Sequence, residues 1–359
     1  MVKKALITGV TGQDGSHLAD FLLEKGYEVH GLVRRSSTIE SRARIEHLFN
    51  PNQNSEDLRE IPFYRHYGNI ECASRVEEII REIMPDEIYN LAAQSHVGIS
   101  FTNPDETFNV NEKGVRNILE AIRKFCPNSK FYQASSSEMF GSSPPPQNEK
   151  TPLNPLSPYA QSKVAAFQTT EFYRRVHKIF ACNGILFNHE GERRGHNFVT
   201  RKITSSLSRI KIGTQKKLIL GNLDAKRDWG YSPDYVKAMW LILQQEKPDD
   251  FVIGTGETHT IREFLEESAK YLDMKIKSNG ASDINEKYLD ENGNVIVEIS
   301  PEFFRPSEVN SLLADFSKAE KILGWKPTVK FHELIKIMCD NDRELAKKEL
   351  LSKKTNVNN

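Results

Sequence analysis

The fold of this chain is decided near its N-terminus, where residues 5–15 read Ala5-Leu6-Ile7-Thr8-Gly9-Val10-Thr11-Gly12-Gln13-Asp14-Gly15. The apolar run before Gly9 predicts a short buried strand, and apolar residues then recur at helical spacing until Gly26. Glycines between a strand and a helix permit a tight turn, and the helix N-terminus attracts a phosphate group. The glycine spacing alone is weak support, because a turn can hold incidental glycines. In this context it predicts a dinucleotide site at the first strand–helix turn.

The rest of the chain repeats this alternation of strands and helices. Further strands are predicted at 28–33, 63–68, 87–91, 131–134, 179–186 and 251–254, and helices at 73–84, 111–125 and from 158 onward. The alternation predicts an α/β fold with a Rossmann-type, doubly wound parallel sheet. We expect this domain to comprise 1–187, with 231–262 returning to it. Residues 188–230 and 263–345 should form a smaller α/β substrate-binding lobe, and 346–359 a flexible tail.

The overall composition excludes several classes of protein. The 359 residues carry 49 Lys and Arg against 49 Asp and Glu, so the net charge argues against nucleic acid or an anionic membrane as the main partner. No apolar run approaches the roughly 20 residues that span a bilayer, and we predict no signal peptide. The four cysteines lack metal-type or disulfide-type spacing. We therefore expect a cytoplasmic protein without a metal.

The end of the second predicted strand indicates which dinucleotide is bound. It reads Arg34-Arg35-Ser36-Ser37. An acidic residue at this position, about 20 residues past the glycines, would bind the ribose 2′-hydroxyl of NAD. Two arginines and two hydroxyls favour a 2′-phosphate instead, so the run predicts NADP. The alternative is a solvated basic strand end.

A second group of candidate residues lies within 131–163. Ser136 and Glu138 follow a predicted buried strand, and a Ser-Pro pair begins the next helix. Tyr159 and Lys163 then lie one turn apart on the same helix face. A tyrosine is a poor base near neutral pH unless a cation stabilises its phenolate, and Lys163 is placed to do that. Such pairs are common on helix surfaces, so the interpretation depends on the other motifs.

Glu138 separates two kinds of chemistry. A reductase of this fold needs only a tyrosine, a lysine and a hydroxyl donor, whereas elimination beside a transient ketone also needs a base for the acidified C–H. If the strand stays extended, Glu138 faces the same side as Ser136 and can be that base. The alternative is a solvated glutamate at the start of a loop. We therefore predict four catalytic residues, which are Ser136, Glu138, Tyr159 and Lys163.

Together these motifs resemble a known family. The chain resembles the extended short-chain dehydrogenases/reductases in Gly9-x-x-Gly12-x-x-Gly15, in the run 90–93, at Ser136 and in Tyr159-x-x-x-Lys163. Within that family it is similar to the GDP-mannose 4,6-dehydratases, in long runs at 8–15, 33–37, 93–97, 184–190, 197–203, 220–230 and 305–309. The resemblance covers roughly residues 3–340, and runs of this length are far more specific than a short motif.

The resemblance implies the residues of two binding sites. With the glycine turn and the basic strand end, the NADP site comprises Gly9, Thr11, Gly12, Gln13, Asp14, Gly15, Arg34, Arg35, Ser36, Ser37, Asn69, Ile70, Leu91, Ala92, Ala93, Gln94, Ser95, Tyr159, Lys163, His189 and Arg194. The GDP-sugar site comprises Ser95, Ser137, Asn188, Lys202, Arg227, Arg305 and Glu308. Arginine matches a diphosphate because its planar guanidinium donates two parallel hydrogen bonds.

Four positions depart from the family pattern. Ser136 stands in place of Thr, Asn69 in place of Asp, Glu106 in place of Tyr, and Gly191-Glu192 in place of Ser-Pro. Ser136 keeps the hydroxyl. The other changes alter positions that the resemblance places near the cofactor and the sugar, so they leave the identity of the sugar open.

The activity implied by the resemblance is NADP-dependent 4,6-dehydration of a GDP-manno sugar, either mannose or a manno-heptose. It comprises oxidation at C4, loss of water across C5 and C6, and return of the hydride to C6. One alternative is a 4-epimerase or 4-ketoreductase of the same fold, which needs no C5 base. Another is a non-catalytic NADP-sensing protein, which needs none of the four catalytic residues. We also expect a homo-oligomer, a dimer or tetramer, because in the family the Arg35 loop bridges neighbouring cofactor sites.

Overall fold

The computed structural model describes residues 2–35, 38–48, 61–281, 284–304, 309 and 311–357. Within them, seven parallel strands form the central sheet. Numbered in chain order, they are β1 Lys4–Thr8, β2 Glu28–Val33, β3 Phe63–Tyr67, β4 Glu87–Asn90, β5 Lys130–Ser136, β6 Ala181–Leu186 and β11 Phe251–Ile253. Their spatial order is β3-β2-β1-β4-β5-β6-β11. The predicted Rossmann-type parallel sheet is confirmed.

Helices pack against this sheet and continue into the second half of the chain. Both faces of the sheet carry a buried apolar cluster, and every residue of β6 is buried, which explains the apolar runs in the sequence. In chain order the helices are α1 Gln13–Glu24, α2 Ile39–Ala43, α3 Ala73–Ile83, α4 Val97–Thr102, α5 Pro104–Phe108, α6 Gly114–Phe125, α7 Pro158–His177, α8 Val199–Lys211, α9 Ser232–Leu243, α10 Ile261–Tyr271, α11 Ser317–Leu323 and α12 Phe331–Val357. Short 3-10 turns lie at Glu46–Leu48, Ser137–Phe140 and Pro301–Phe303, and a π-helical turn at Asn109–Lys113.

A separate apolar cluster supports the second half of the chain. Its four-stranded sheet has the order β13-β14-β15-β8, with β8 Leu218–Leu220, β13 Lys277–Ser278, β14 Lys287–Leu289 and β15 Val295–Ile299. Two short pairs connect it with the central sheet. They are β7 Asn188–Glu190 with β10 Trp229–Tyr231, and β9 Lys226–Arg227 with β12 His259–Thr260. These pairs carry two of the predicted substrate residues, Asn188 and Arg227.

The C-terminal segment differs from its prediction. A flexible tail was expected over 346–359, but α12 continues to Val357. Ala346 is buried, and the Glu349 carboxylate lies 2.7 Å from an Arg209 nitrogen of α8. A buried methyl and an ion pair to a neighbouring helix stabilise this part of α12, whereas the polar sequence alone indicated fraying.

Candidate active site

The glycine turn forms a close-packed cradle at the carboxyl end of β1. Gly9 has φ +71°, and its carbonyl oxygen accepts a hydrogen bond of 2.9 Å from the Gly12 nitrogen. A Cβ on Gly9 would lie 2.8 Å from the Ala92 nitrogen, and one on Gly15 would clash with Gly9. The backbone at Gly9 therefore lies close to the backbone of Ala92 and of Gly15, where α1 begins. This arrangement leaves the N-terminal N–H groups of α1 available to a pyrophosphate.

Asp14 joins this turn to the substrate half of the chain. Its Oδ2 lies 2.7 Å from Nε2 of His189 on β7, and its Oδ1 accepts hydrogen bonds from Gln13 and Ser232. The other ring nitrogen of His189, Nδ1, lies 2.7 Å from the Phe187 carbonyl oxygen. Because a carboxylate and a carbonyl are both acceptors, the ring must donate from both nitrogens and is an imidazolium.

The pKa values of Asp14 and His189 are shifted in opposite directions. Burial alone would raise the pKa of Asp14. The charge and hydrogen bond of His189 lower it by more than that, so the pKa of Asp14 lies below its ordinary value. Burial lowers the pKa of His189, but the Asp14 carboxylate raises it above its ordinary value. Both shifts therefore favour the charged forms of Asp14 and His189.

The predicted ribose end of the cofactor site is a basic groove of about 770 Å³. Arg34 and Arg35 are exposed at its rim, and it is also lined by Arg65, Tyr67, Asn69 and Arg75. Ser36 and Ser37 lie outside the described residues. A groove with four guanidinium groups suits a phosphate better than a hydroxyl.

Asn69 and Ile70 follow β3 at the same edge of the sheet. The Asn69 amide donates to Glu71 at 2.5 Å, and its amide oxygen accepts from the Glu71 nitrogen at 3.3 Å. The Ile70 side chain is buried against the position of Gly114. Ile70 can therefore contact the cofactor only through its backbone atoms. The Asn69 side-chain amide is already hydrogen-bonded to the Glu71 carboxylate.

Asn111 is a site residue that the sequence analysis missed. Its Oδ1 accepts from the Gln94 nitrogen at 2.9 Å, and its Nδ2 donates to the Ser162 hydroxyl at 2.9 Å. Ser162 in turn donates to the Tyr159 carbonyl at 2.7 Å. Asn111 lies in the π-helical turn, a feature often found at functional sites. The only sequence signal was an amide inside an otherwise apolar helix face, which is buried here.

Ser136 and Tyr159 meet at the carboxyl end of β5. Helix α7 begins as predicted, with the Ser157 hydroxyl accepting from the Ala160 nitrogen and Pro158 in the first turn. The Tyr159 phenol lies near enough to Ser136 for that side chain to lower its pKa. Burial raises the pKa of Tyr159 to about 12, the Ser136 side chain lowers it, and the Glu138 carboxylate raises it. The three side chains therefore share one buried site.

Lys163 takes a different partner from the one expected. Its Nζ donates to the Ala134 carbonyl at 2.8 Å and lies 5.9 Å from the centroid of the Tyr159 ring. Burial lowers the pKa of Lys163 to about 8. The ammonium is therefore anchored to β5, one turn along α7 from the phenol, and its stabilisation of a phenolate stays a prediction.

The path of the chain to Glu138 also differs from the expectation. The strand was expected to stay extended, but it ends at Ser136 and turns into the 3-10 segment Ser137–Phe140. The Ser136 hydroxyl accepts from the Glu138 nitrogen at 3.3 Å, which stabilises the turn. Glu138 is buried, and its Oε1 lies 4.0 Å from Nε of Arg227 on β9. Local capping, rather than strand alternation, brings the carboxylate to the site.

The other predicted substrate residues lie on elements around this centre. The Asn188 Oδ1 is buried without a hydrogen-bond partner among the described residues. The Lys202 ammonium lies 3.5 Å from the centroid of Phe303, and burial lowers its pKa. Ser137 is buried in the turn after β5, while Ser95 is exposed. Arg305 and Glu308 lie outside the described residues.

The described residues contain neither a membrane-spanning helix nor a cluster of metal ligands. No helix in the described part of the chain is long and apolar enough to cross a membrane. Over the same residues, no three His, Cys, Asp or Glu side chains are grouped so that they could hold a metal ion. All four cysteines are free thiols, and Cys72 is the exposed one.

A parallel Rossmann-type sheet with a glycine cradle and a Ser–Tyr–Lys group defines a nicotinamide-dependent enzyme of the short-chain dehydrogenase/reductase class. Comparison with known proteins narrows this class. Residues 6–338 match the family described as GDP-mannose 4,6 dehydratase. GDP-mannose 4,6 dehydratase 1 of Arabidopsis thaliana is 52% identical over 352 residues, covering 97% of this chain and 91% of the relative. The chain belongs to the GDP-mannose 4,6-dehydratase family.

Other similarities agree with this assignment. The human GDP-mannose 4,6 dehydratase is 48% identical over 347 residues, covering 96% of this chain and 92% of the relative. Among solved structures, the UDP-glucose 4-epimerase of Thermus thermophilus in complex with NAD has a TM-score of 0.75 at 25% identity. That similarity covers 95% of this chain and 99% of the epimerase. The fold is therefore shared with nucleotide-sugar enzymes of different reaction type.

Proposed function

We propose that this chain converts GDP-mannose to GDP-4-keto-6-deoxymannose with a tightly bound NADP. The observation that carries the proposal is the meeting of Ser136, Glu138 and Tyr159 in one buried site, with Glu138 beside Arg227. A carboxylate at this position supplies the extra base that separates a dehydratase from a 4-epimerase or 4-ketoreductase. A manno-heptose is the alternative substrate, because Gly191-Glu192 departs from the family pattern near the sugar.

The residues fit a nicotinamide dinucleotide. Gly9 and Gly15 leave room that a Cβ would fill, and the Gln13 Oε1 beside them is buried without a hydrogen-bond partner among the described residues. The cradle would hold the pyrophosphate, and the basic groove with Arg34 and Arg35 would hold the 2′-phosphate. When bound, the cofactor supplies the acceptor and later the donor of a hydride.

Tyr159 and Ser136 would act at the C4 hydroxyl of the sugar. Tyr159 removes the hydroxyl proton, and Ser136 hydrogen-bonds the oxygen as its carbonyl character develops. With a pKa of about 12, the buried phenol needs a stabilising positive charge to ionise. Lys163 contributes one such charge, since its ammonium is held beside the phenol by the Ala134 carbonyl.

Glu138 would act next, at C5. The 4-ketone makes the C5–H acidic, the Glu138 carboxylate takes the proton, and the C6 hydroxyl leaves as water. A bound cofactor would supply the hydride that C6 needs, and Glu138 would return the proton to C5, so the reaction would consume no coenzyme. The nucleotide end would be held by Lys202 and Arg227, of which Arg227 is fixed by the Lys226 and Val309 carbonyls at 2.9 and 2.7 Å.

The coenzyme and the cellular location are proposed from the sequence. NADP rather than NAD follows from the Arg34-Arg35 run, and a cytoplasmic location from the scattered cysteines. A homo-oligomer is proposed because the family resemblance places the Arg35 loop at a subunit contact. On α7, Phe172 and Val176 also expose apolar surface.

The proposal is tested by incubating the purified chain with GDP-mannose and no added reductant. Mass spectrometry should show a product lighter by one water, formed without net consumption of coenzyme. An epimerase would give a product of unchanged mass, and a ketoreductase would consume NADPH. A non-catalytic sensor would bind NADP and leave the sugar unchanged. GDP-manno-heptose as a parallel substrate distinguishes the two sugars.

A further inference from the structure

The loop over residues 191–194 lies between the glycine cradle and the substrate half of the chain. Its Arg194 is expected at the cofactor, and here the Arg194 guanidinium stacks on Phe198 at 3.6 Å and lies 2.8 Å from Glu190. On the cradle side, Arg44 donates to the Arg193 carbonyl at 2.8 Å and to the Thr11 carbonyl at 3.2 Å. This chain has Gly191-Glu192 where the family pattern has Ser-Pro, so it lacks the backbone restriction of a proline here.

Arg201 supplies that restriction from the other side of the loop. It is almost fully buried on α8, and its Nη1 donates to the carbonyl oxygens of Glu192 and Arg194, the latter at 3.1 Å. Its Nε donates at 2.6 Å to Asp342 of α12, which is also buried. The second oxygen of Asp342 accepts from the Thr204 hydroxyl at 2.5 Å. One guanidinium therefore ties the loop to two helices.

We propose that Arg201, oriented by Asp342, is a positioning residue that fixes loop 191–194 for cofactor binding. A buried arginine donating to two backbone carbonyls defines the path of the loop, and the path of the loop sets the place of Arg194. A buried ion pair adds little net stability compared with apolar residues of similar volume, so stability alone does not account for it. The inference rests on the proposed function only in taking the loop as part of the coenzyme site.

The chain offers a matched control in the same two helices. Arg209 of α8 pairs with Glu349 of α12, with Nη2 to Oε1 at 2.7 Å and Nε to Oε2 at 2.9 Å. Among the described residues, its side chain otherwise donates to Ser205 and not to the loop. Removing this pair weakens the same helix contact without changing loop 191–194.

Two variants test the role of Arg201. Arg201→Lys keeps a charge opposite Asp342, but one ammonium cannot reproduce the fork that reaches the carboxylate and both carbonyls. Arg201→Met combined with Asp342→Leu removes both charges together, so that neither is left buried and unpaired. The control is Arg209→Met combined with Glu349→Leu. NADP+ and NAD+ are each titrated into the coenzyme-free proteins, with melting temperature and amide hydrogen exchange of residues 191–195 measured in parallel.

Both Arg201 variants should bind the coenzyme about tenfold more weakly, since they lose hydrogen bonds from a charged donor. Their loop amides should exchange faster, and excess coenzyme should restore most of the turnover. The control should keep wild-type affinity and loop exchange at a similar melting temperature. Wild-type coenzyme affinity in Arg201→Lys would overturn the inference, as would an equal loss in the control. Failure of both Arg201 variants to fold would assign Arg201 to stability alone. Wild-type protein that binds neither coenzyme would instead refute the proposed function.

Discussion

Oε1 of Glu138 lies 4.0 Å from Nε of Arg227, although the two residues are far apart in the sequence and belong to different halves of the molecule. Both side chains are buried, so the proposed C5 base faces a cation that is proposed to bind the diphosphate. The contact places the proposed base beside the guanidinium group of Arg227. It also keeps the Glu138 carboxylate paired, which a buried charge requires.

Glu138→Gln should separate oxidation from elimination. Ser136, Tyr159 and Lys163 are unchanged, so hydride should still leave C4 and the absorbance of reduced nicotinamide should build up. The amide cannot take the C5 proton, so product formation should fall by about 10²–10⁴-fold. Exchange of C5–H with deuterated solvent should fall in parallel. If C5 deuteration continues at the wild-type rate, another group is the base.

Tyr159→Phe should nearly abolish turnover while the GDP-sugar still binds. The variant keeps the aromatic packing but removes the proton acceptor, a loss of about 10²–10⁴-fold. The dissociation constant for the GDP-sugar should change only slightly, because the phenol serves chemistry rather than ground-state binding. Calorimetry on the variant measures that constant directly. Turnover close to wild type would remove Tyr159 from the mechanism.

Arg35→Asp should reduce the preference for NADP+ over NAD+. The wild type should bind NADP+ more tightly than NAD+, because Arg35 lies at the basic groove with three other arginines. An aspartate there repels a 2′-phosphate and can accept a hydrogen bond from a 2′-hydroxyl. We expect NADP+ affinity to fall about 10–100-fold and NAD+ affinity to change little. Equal affinities for the two coenzymes in the wild type would contradict the NADP assignment.

The Asp14–His189 pair should give a pH-dependent contribution to stability. The lowered pKa of Asp14 means that its contribution is present above its ordinary value of 3.8 and is lost as pH falls through the lowered pKa. The raised pKa of His189 means that its contribution is present below 6.5 and is lost as pH rises through the raised pKa. Both contributions are present between these limits.

Asp14→Asn should therefore reduce the free energy of unfolding by about 1.5–3 kcal/mol between roughly pH 4 and 6. The reduction should become smaller as the pH rises through the raised pKa of His189. Urea unfolding of the coenzyme-free proteins at pH 5.5 and pH 9 measures the difference. A difference of equal size at both pH values would show that the pair is not ionic.

The chain should be a dimer or tetramer in solution. The exposed Phe172 and Val176 of α7 provide apolar surface that a second copy can cover, and closed homo-oligomers are the common solution. Light scattering over a range of protein concentrations measures the mass. A monomer at every concentration would refute the prediction.

The sequence by itself determined the central sheet and the nature of the catalytic groups. The sheet is readable because its parallel strands are buried on both faces and appear as apolar runs such as β6, each followed by a helical pattern. The tyrosine and lysine proposed to be catalytic are recognisable because they lie one helical turn apart on α7, so their spacing is local. The same holds for the glycine turn, where the backbone demands glycine at Gly9.

Only the tertiary structure decided how distant parts of the chain meet. The contacts between Glu138 and Arg227, between Asp14 and His189, and between Arg201 and Asp342 join residues with no periodic relation in the sequence. Asn111 was not predicted, and residues 346–359 were expected to be a flexible tail, for the same reason, since their partners come from other elements. Local patterns follow from backbone periodicity, whereas these contacts depend on how two packed halves are placed against each other.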